Sequence, residues 1–157
     1  MAIVGVRIDD RLIHGQVCGY WIPQYKVERI LIVDNEVCND EARKTALKFG
    51  SPQSCKLSIF DSTKAADKLI RKIDEGIRVM LLAQGPKPFL ELVQKGYHLD
   101  EICIGNMSTR QGAKQIKKTV YVTEEDKKDF LELSKLGVKL YLQEKPTDGK
   151  EDLVNLL

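Results

Sequence analysis

The sequence predicts an α/β fold, with an open, mostly parallel seven-stranded sheet and helices on both faces. Three observations lead there. Short runs dominated by Ile, Val and Leu recur at 3–8, 30–33, 57–60, 79–83, 102–104, 120–122 and 138–142, and continuous apolar runs of this kind mark strands buried on both faces. Stretches with a helical apolar period lie between them. Glycines and polar cap residues punctuate the junctions. Alternation of strand and helix implies right-handed βαβ units and a parallel sheet.

The elements follow in order. The first run leads through Asp9, Asp10 and Arg11 to His14-Gly15, where a helix should begin. The second ends at Asp34-Asn35; Asn39 reads as a helix start and Gly50 as its stop. After the third run, Ser62 opens a helix whose apolar face is Ala65, Ala66, Leu69, Ile70 and Ile73, closed at Gly76. The fourth meets Gln84-Gly85 and a helix carrying Phe89, Leu92 and Val93, with Gly96 just past it. Behind the fifth run, residues 105–119 hold Gly105, Asn106, Ser108 and Gly112 and read as a long loop or short helix. The sixth run precedes Thr123 and the acidic turn Glu124-Glu125-Asp126, an N-cap signature, and Gly137 closes that helix. The tail after Gln143, with Pro146 and Gly149, reads as an exposed turn ending in a short helix. Five or six helices are expected in all.

Composition bounds the function. The chain has 157 residues, 43% hydrophobic and 31% charged, which suits a single globular domain over 1–157. Lys and Arg number 25 against 23 Asp and Glu, a formal charge of +2; this argues against a nucleic-acid partner, whose binders carry a strongly basic face. Cys18, Cys38, Cys55 and Cys103 show no CxxC and no zinc spacing; they are expected to be reduced and mostly buried, in a cytosolic protein without a signal peptide. No apolar run approaches the roughly 20 residues of a membrane helix. No metal is expected.

In an open parallel sheet, ligands bind at the carboxyl ends of the strands. Asp34 and Asp61 sit at such ends and read most simply as turn or capping residues. Arg7-Ile8-Asp9-Asp10-Arg11-Leu12-Ile13-His14-Gly15-Gln16-Val17 is the densest segment. A histidine there suits phosphoryl acceptance. An imidazole of ordinary pKa near 6.5 is largely neutral at pH 7, the amides of Gly15 and Gln16 can receive phosphate oxygens at a helix start, and Arg11 offers a planar cationic fork. An exposed loop histidine beside an ordinary Asp-Arg pair fits the same spacing. GxxxxGK[ST] is absent, and no GxGxxG follows the first run, so nucleotide readings are weak. His98, after Gly96-Tyr97, reads as a surface or C-cap residue. Cys18, four residues after His14, reads as packing rather than as half of a Cys-His pair. Trp21 and Tyr20 read as packing residues of the first helix.

The eleven-residue segment resembles the active-site loop of IIB components of the bacterial sugar phosphotransferase system (PTS), mannose/fructose/sorbose family. Further matches follow in order: Val79-Met80-Leu81-Leu82 with Pro86, Ile104-Gly105-Asn106-Met107, Arg110-Gln111-Gly112 and Val120-Tyr121-Val122. The resemblance implies phosphoryl transfer from the phosphohistidine of a IIA component to His14, on Nδ1, and onward to a sugar entering through membrane IIC and IID components. It implies that Arg11 contacts the phosphate and that no diffusible cofactor is needed. It places the chain in the cytoplasm, peripheral to the membrane through IIC and IID. Asp10 or Asp9 would hold the imidazole or position Arg11. Many relatives carry a hydroxyl residue after the fourth strand; here Gln84-Gly85-Pro86 stands instead, leaving the backbone amides of Gln84 and Gly85 as phosphate donors. An amino sugar such as N-acetylgalactosamine or galactosamine is suggested by Gly105-Asn106-Met107 and Val120-Tyr121-Val122. The acceptor histidine should be exposed on a shallow docking surface with Arg7, Asp9, Asp10 and Arg11 around it, and an isologous homodimer is the default oligomer. The alternative, a receiver-like regulatory module phosphorylated on Asp61, also needs a hydroxyl after strand four and a lysine after strand five, where this chain has Gln84-Gly85 and Gly105-Asn106.

Overall fold

The computed structural model describes residues 3–73 and 75–157. Its strands are β1 (Ile3–Asp9), β2 (Arg29–Val33), β3 (Lys56–Phe60), β4 (Val79–Ala83), β5 (Glu101–Asn106), β6 (Lys114–Lys117), β7 (Val120–Val122), β8 (Lys139–Leu142) and β9 (Glu151–Asp152). Its α-helices are α1 (Ile22–Tyr25), α2 (Glu41–Gly50), α3 (Ser62–Ile70), α4 (Pro86–Gln94) and α5 (Glu124–Lys135). Seven strands form the main sheet in the order β3-β2-β4-β1-β5-β8-β9. All pairings in it are parallel except β8 with the edge strand β9.

Seven strands were expected, and the seventh is a different one. Residues 120–122 pair antiparallel with β6 in a separate hairpin. The stretch behind β5 contains a turn and β6 but no crossover helix, and a parallel neighbour needs one to return the chain. Instead Met107 bridges Val120, and Tyr121 N–H donates to the Met107 carbonyl. The vacant edge is taken by β9, in the segment read as an exposed tail; the short helix expected at its end is the 3₁₀ turn Val154–Leu156.

Alternation along the strands divides the core between two faces. Ile8, Leu31, Leu81, Ile102 and Leu140 face α3, α4 and α5, which contribute Leu69, Phe89 and Phe130. Ile30, Ile32, Met80 and Leu82 face the opposite way, under Val17, Trp21 and Ile22 of the helix that follows β1. α2 buries no residue fully and lays Leu47 on that second face.

Cap chemistry sets the helix ends. Thr123 makes the full capping box with Asp126. The other two starts shift by one residue, to Asp40 and Asp61, whose carboxylates accept from Arg43 and Lys64 N–H. Gly96 and Gly137 adopt φ of +101° and +89°. Around each, paired bonds form a Schellman end: Tyr97 N to Leu92 O with Gly96 N to Val93 O, and Val138 N to Leu133 O with Gly137 N to Ser134 O. α3 closes the same way at Lys72 (φ +61°) rather than at Gly76, and Gly50 is still helical.

The loop after β1 runs to one face and the loop after β4 to the other, although the two strands are neighbours. Divergence of adjacent loops opens a crevice at the carboxyl edge. The His14 loop lies there.

Candidate functional site

Asp9 ends β1 with its side chain fully buried. Its Oδ1 accepts from the Arg11 backbone N–H at 3.0 Å and from Arg11 Nε at 3.1 Å, and its Oδ2 from Arg11 Nη2 at 3.0 Å. The same Oδ2 lies 2.8 Å from His14 Nε2. A carboxylate that already takes a guanidinium is an acceptor, so the imidazole proton belongs on Nε2. The Nδ1 lone pair is then unprotonated, and it accepts a long hydrogen bond from the Gln16 backbone N–H at 3.3 Å. Hydrogen bonding to Asp9 keeps the Arg11 guanidinium above its ordinary pKa despite partial burial, helped by the charges of Asp9, Asp10 and Glu144. Leu12 holds the turn in the left-handed region, φ +59°, with its side chain fully buried. Burial of that side chain in the core beneath the helix holds the costly conformation in place.

Gln16 links this cluster to the segment after β8, two strands away from β1. Its Oε1 accepts from Arg11 Nη2 at 3.0 Å, and its Nε2 donates to Glu144 Oε1 at 3.3 Å. The segment just after β8 is clamped from below. Buried Arg7 donates from Nη1 to the Gln143 carbonyl and from Nη2 to the Glu144 carbonyl, each at 2.8 Å, and Trp21 Nε1 reaches the latter at 3.2 Å. The Arg7 guanidinium lies 4.2 Å over the Trp21 ring, and a Cβ at Gly105 would collide with it. The helix over residues 15–25 contains a π segment, Val17–Trp21, that keeps both Val17 and Trp21 buried. Asp10 faces another way. It accepts from Asn106 Nδ2 at 2.7 Å, Ser108 N–H at 2.6 Å and Ser108 Oγ at 3.1 Å, and the Gln84 side chain donates to its carbonyl at 2.9 Å.

This geometry — an oriented imidazole whose unprotonated Nδ1 takes only a long backbone hydrogen bond, a neighbouring guanidinium and amides at a helix start — equips the edge to take and stabilise an anionic group. Residues 3–157 match the family described as PTS system sorbose subfamily IIB component. The chain belongs to that family. Over 157 residues it is 38% identical to the PTS fructose-specific EIIB component of Bacillus subtilis, covering 100% of this chain and 96% of the relative. It is 36% identical to the PTS mannose-specific EIIAB component of Escherichia coli K12, covering 100% of this chain and 49% of that longer protein. The crystal structure of the IIB domain of the sorbose permease from Klebsiella pneumoniae superposes with a TM-score of 0.93 at 35% identity, over 99% of this chain and 96% of that one. This IIB component is therefore part of a sugar phosphotransferase system, with a transferase role.

Within the IIB fold, the sequence-predicted residues fall into three groups. His14, Arg11 and Gln16 are together, and Gly15 opens the helix beside them. Gln84 reaches the loop only through the Asp10 carbonyl, and Gly85 is the N-cap position of α4; among the described residues neither bonds to His14. Asp10, expected as a candidate orienter, does not touch the imidazole. Asp9 does, because it lies on the same side of β1 as Arg7, under the helix, whereas Asp10 begins the turn and is bound by the loop after β5.

The expected charged docking surface also changes. Arg7 and Asp9 are buried, and the His14 side chain is only 16% exposed, since an imidazole tied to a buried carboxylate is drawn inward. Asp61 and Asp34 cap local backbone, as read from the sequence. Cys55 and Cys103 are buried but Cys18 and Cys38 only partly so, all four are free thiols, and burial pushes the Cys18 thiol up. Trp21 is buried while Tyr20 is 45% exposed. Among the described residues no cluster of three or more His, Cys, Asp and Glu could hold a metal. Sequence reasoning missed Glu144, 128 positions from its partner Gln16, and only the strand order β1-β5-β8 brings the two together.

Proposed function

We propose that this chain is a phosphocarrier that takes a phosphoryl group on His14 Nδ1 from the phosphohistidine of a IIA component and passes it to a sugar entering through IIC and IID. The observation that carries this reading is the prepared Nδ1 lone pair, with Nε2 fixed by Asp9 and the Gln16 amide facing the site of attack. As the N–P bond of the donor breaks, its electron pair stays on the donor ring; the Nδ1 lone pair forms the new N–P bond, and the Nε2 proton remains shared with Asp9. The step balances without a redox partner or a net proton. Arg11 and the amides of Gly15 and Gln16 would stabilise the equatorial oxygens, the main task of a protein in phosphoryl transfer. Gln84 and Gly85 border the same edge and would donate only after the loop adjusts.

The IIA partner finds support in the EIIAB relative, whose name joins the two components in one chain. No helix among the described residues is long and apolar enough to cross a membrane, and we place the chain at the cytoplasmic face, held there by IIC and IID. Sugar choice is assigned to those membrane components. Asn106 is engaged by Asp10 and Met107 is buried against the hairpin, so the stretch that suggested an amino sugar serves the loop.

Incubation with a phosphorylated IIA protein, followed by mass mapping, tests the reading. The mass increase should fall on His14 and be stable in alkali but labile in acid; phosphate on Asp61 or His98, or none, would overturn it. Calorimetry with mannose, fructose, galactosamine and N-acetylgalactosamine should show no saturable binding to the isolated chain.

A further inference from the structure

Glu144 takes no part in the transfer step above, yet its place is among the most firmly built at this edge. Its carbonyl is held by Arg7 and Trp21, and the preceding carbonyl by Arg7. Arg7 is 2% exposed and, among the described residues, has no carboxylate within ion-pair distance, so the clamp acts on backbone and leaves the Glu144 side chain to project. That carboxylate accepts from Gln16 Nε2, and the backbone N–H of the same Gln16 faces His14 Nδ1. One residue thus separates a negative charge from the nitrogen that would carry phosphate.

The charges around the acceptor are lopsided. Asp9, Asp10 and Glu144 all act on the Arg11 guanidinium; Arg7 is sealed below, Lys145 Nζ lies over the Tyr20 ring, and Arg110 is paired with Asp126. Asp9 is balanced by Arg11 and the imidazole N–H, and Asp10 is occupied by Asn106 and Ser108. Glu144 has no cation within ion-pair distance among the described residues; its bond is to a neutral amide. A site built only to stabilise a phosphate dianion would not keep beside it a carboxylate that has no ion pair of its own and shares the field of Arg11 with Asp9 and Asp10. A carrier that must release the group has a use for one, because like charge raises the free energy of the loaded state.

We propose that the Glu144 carboxylate sets the phosphoryl-transfer potential of phospho-His14, weakening its hold on the phosphate so that discharge to the acceptor is favoured. The proposal rests on the reading of His14 as the phosphoryl acceptor. Glu144→Gln keeps an oxygen to accept from Gln16 Nε2 while removing the charge; Glu144→Ala removes both.

The test uses the full chain and phosphorylated IIA protein, measuring the equilibrium distribution of phosphate between the two and the pH at which the ³¹P resonance of phospho-His14 titrates. Glu144→Gln should shift the distribution toward phosphorylated His14 by roughly fivefold, the size expected for a unit charge acting on a dianion through a high dielectric. It should also move the ³¹P midpoint to lower pH, because the phosphate dianion loses a repelling neighbour, and both effects should shrink with added salt. If Glu144→Gln matched the wild type while Glu144→Ala differed, Glu144 would act only by holding Gln16 and the proposal would be overturned, as it would if neither variant moved. A wild-type chain that took no phosphate on His14 would overturn the underlying reading and this inference with it, whereas labelled wild type with an unmoved Glu144→Gln overturns only this one.

Discussion

The two ends of the sheet carry the chain's two histidines, and the same side chain meets opposite conditions at each. At the carboxyl end His14 is 16% exposed, with Nε2 on a buried carboxylate and Nδ1 facing a backbone N–H. At the amino end His98 precedes β5, is 60% exposed, and among the described residues has one ion-pair partner, Asp100 at 3.4 Å, itself 76% exposed. Exposure alone would favour His98 as the reactive residue. What separates them is constraint, since a nucleophilic nitrogen needs its lone pair in one place, with the other nitrogen's proton accounted for. The strand-loop-helix junction supplies that at one end only.

The largest effect should come from removing the constrained ring. His14→Ala should fold, with thermal unfolding like the wild type, and accept no phosphoryl group from a phosphorylated IIA protein. Labelling that survives the substitution would show that constraint at this end is not preparation for chemistry. Next in size is Arg11→Ala. If the guanidinium acts on developing phosphoryl charge, its loss should slow transfer by about 10²–10³, by analogy with a lost oxyanion donor. Arg11→Lys should recover only part, because an ammonium cannot bridge the two Asp9 oxygens and Gln16 together. Rates within a fewfold of wild type for the alanine variant would reduce Arg11 to a tether for Asp9.

Much of this contrast was legible in the sequence, and what was not had a common cause. The apolar runs located six main-sheet strands because burial on both faces writes itself into local composition. The His14 loop was legible because a polar cluster at a strand end is itself a local signal. β9 was missed, since Glu151 and Asp152 are exposed on an edge and carry no apolar run. The choice of Asp9 over Asp10 depended on which side of β1 each faces, and Glu144 on which strand lies two places away. Both follow from sheet order, a long-range property. Arg7 is the sharpest case. Four residues before Arg11 in the same motif, it reads as surface charge, but Trp21, Gly105 and two carbonyls converge to bury it.

That buried arginine gives the third test, directed at what holds the carboxyl end rigid. A methyl group at residue 105 would strike the Arg7 guanidinium, so Gly105→Ala must displace a buried cation or spread β1 and β5. Overpacking of a tight interior costs about 1–3 kcal/mol, and a charge moved off its acceptors adds to this. Urea unfolding should show a lower midpoint with an unchanged slope, and phosphoryl acceptance should weaken as the Gln143–Glu144 segment loosens. A midpoint equal to wild type would mean that Arg7 yields easily and that the two ends differ less in rigidity than their contacts indicate.

The smallest effect belongs to the amino end. His98→Ala removes a mostly exposed ring whose partner is also mostly exposed, and pairs of this kind contribute little because water competes for both charges. Stability should stay within about 0.5 kcal/mol of wild type, as for most surface substitutions away from caps and cores. The outcome still bears on the comparison, because His98 and Asp100 line a cavity of about 410 Å³ whose wall includes Arg7, Trp21 and Cys103. Arg7 and Trp21 also grip the Glu144 carbonyl at the other end, giving the two ends a shared support. Phosphoryl acceptance by His98→Ala should nevertheless match the wild type in rate and extent, since the ring makes no contact with that support beyond lining the same space. A variant that folded normally but accepted phosphate severalfold more slowly would show that the amino end communicates with His14 through the Arg7–Trp21 stack, and the separation drawn between the two ends would fail.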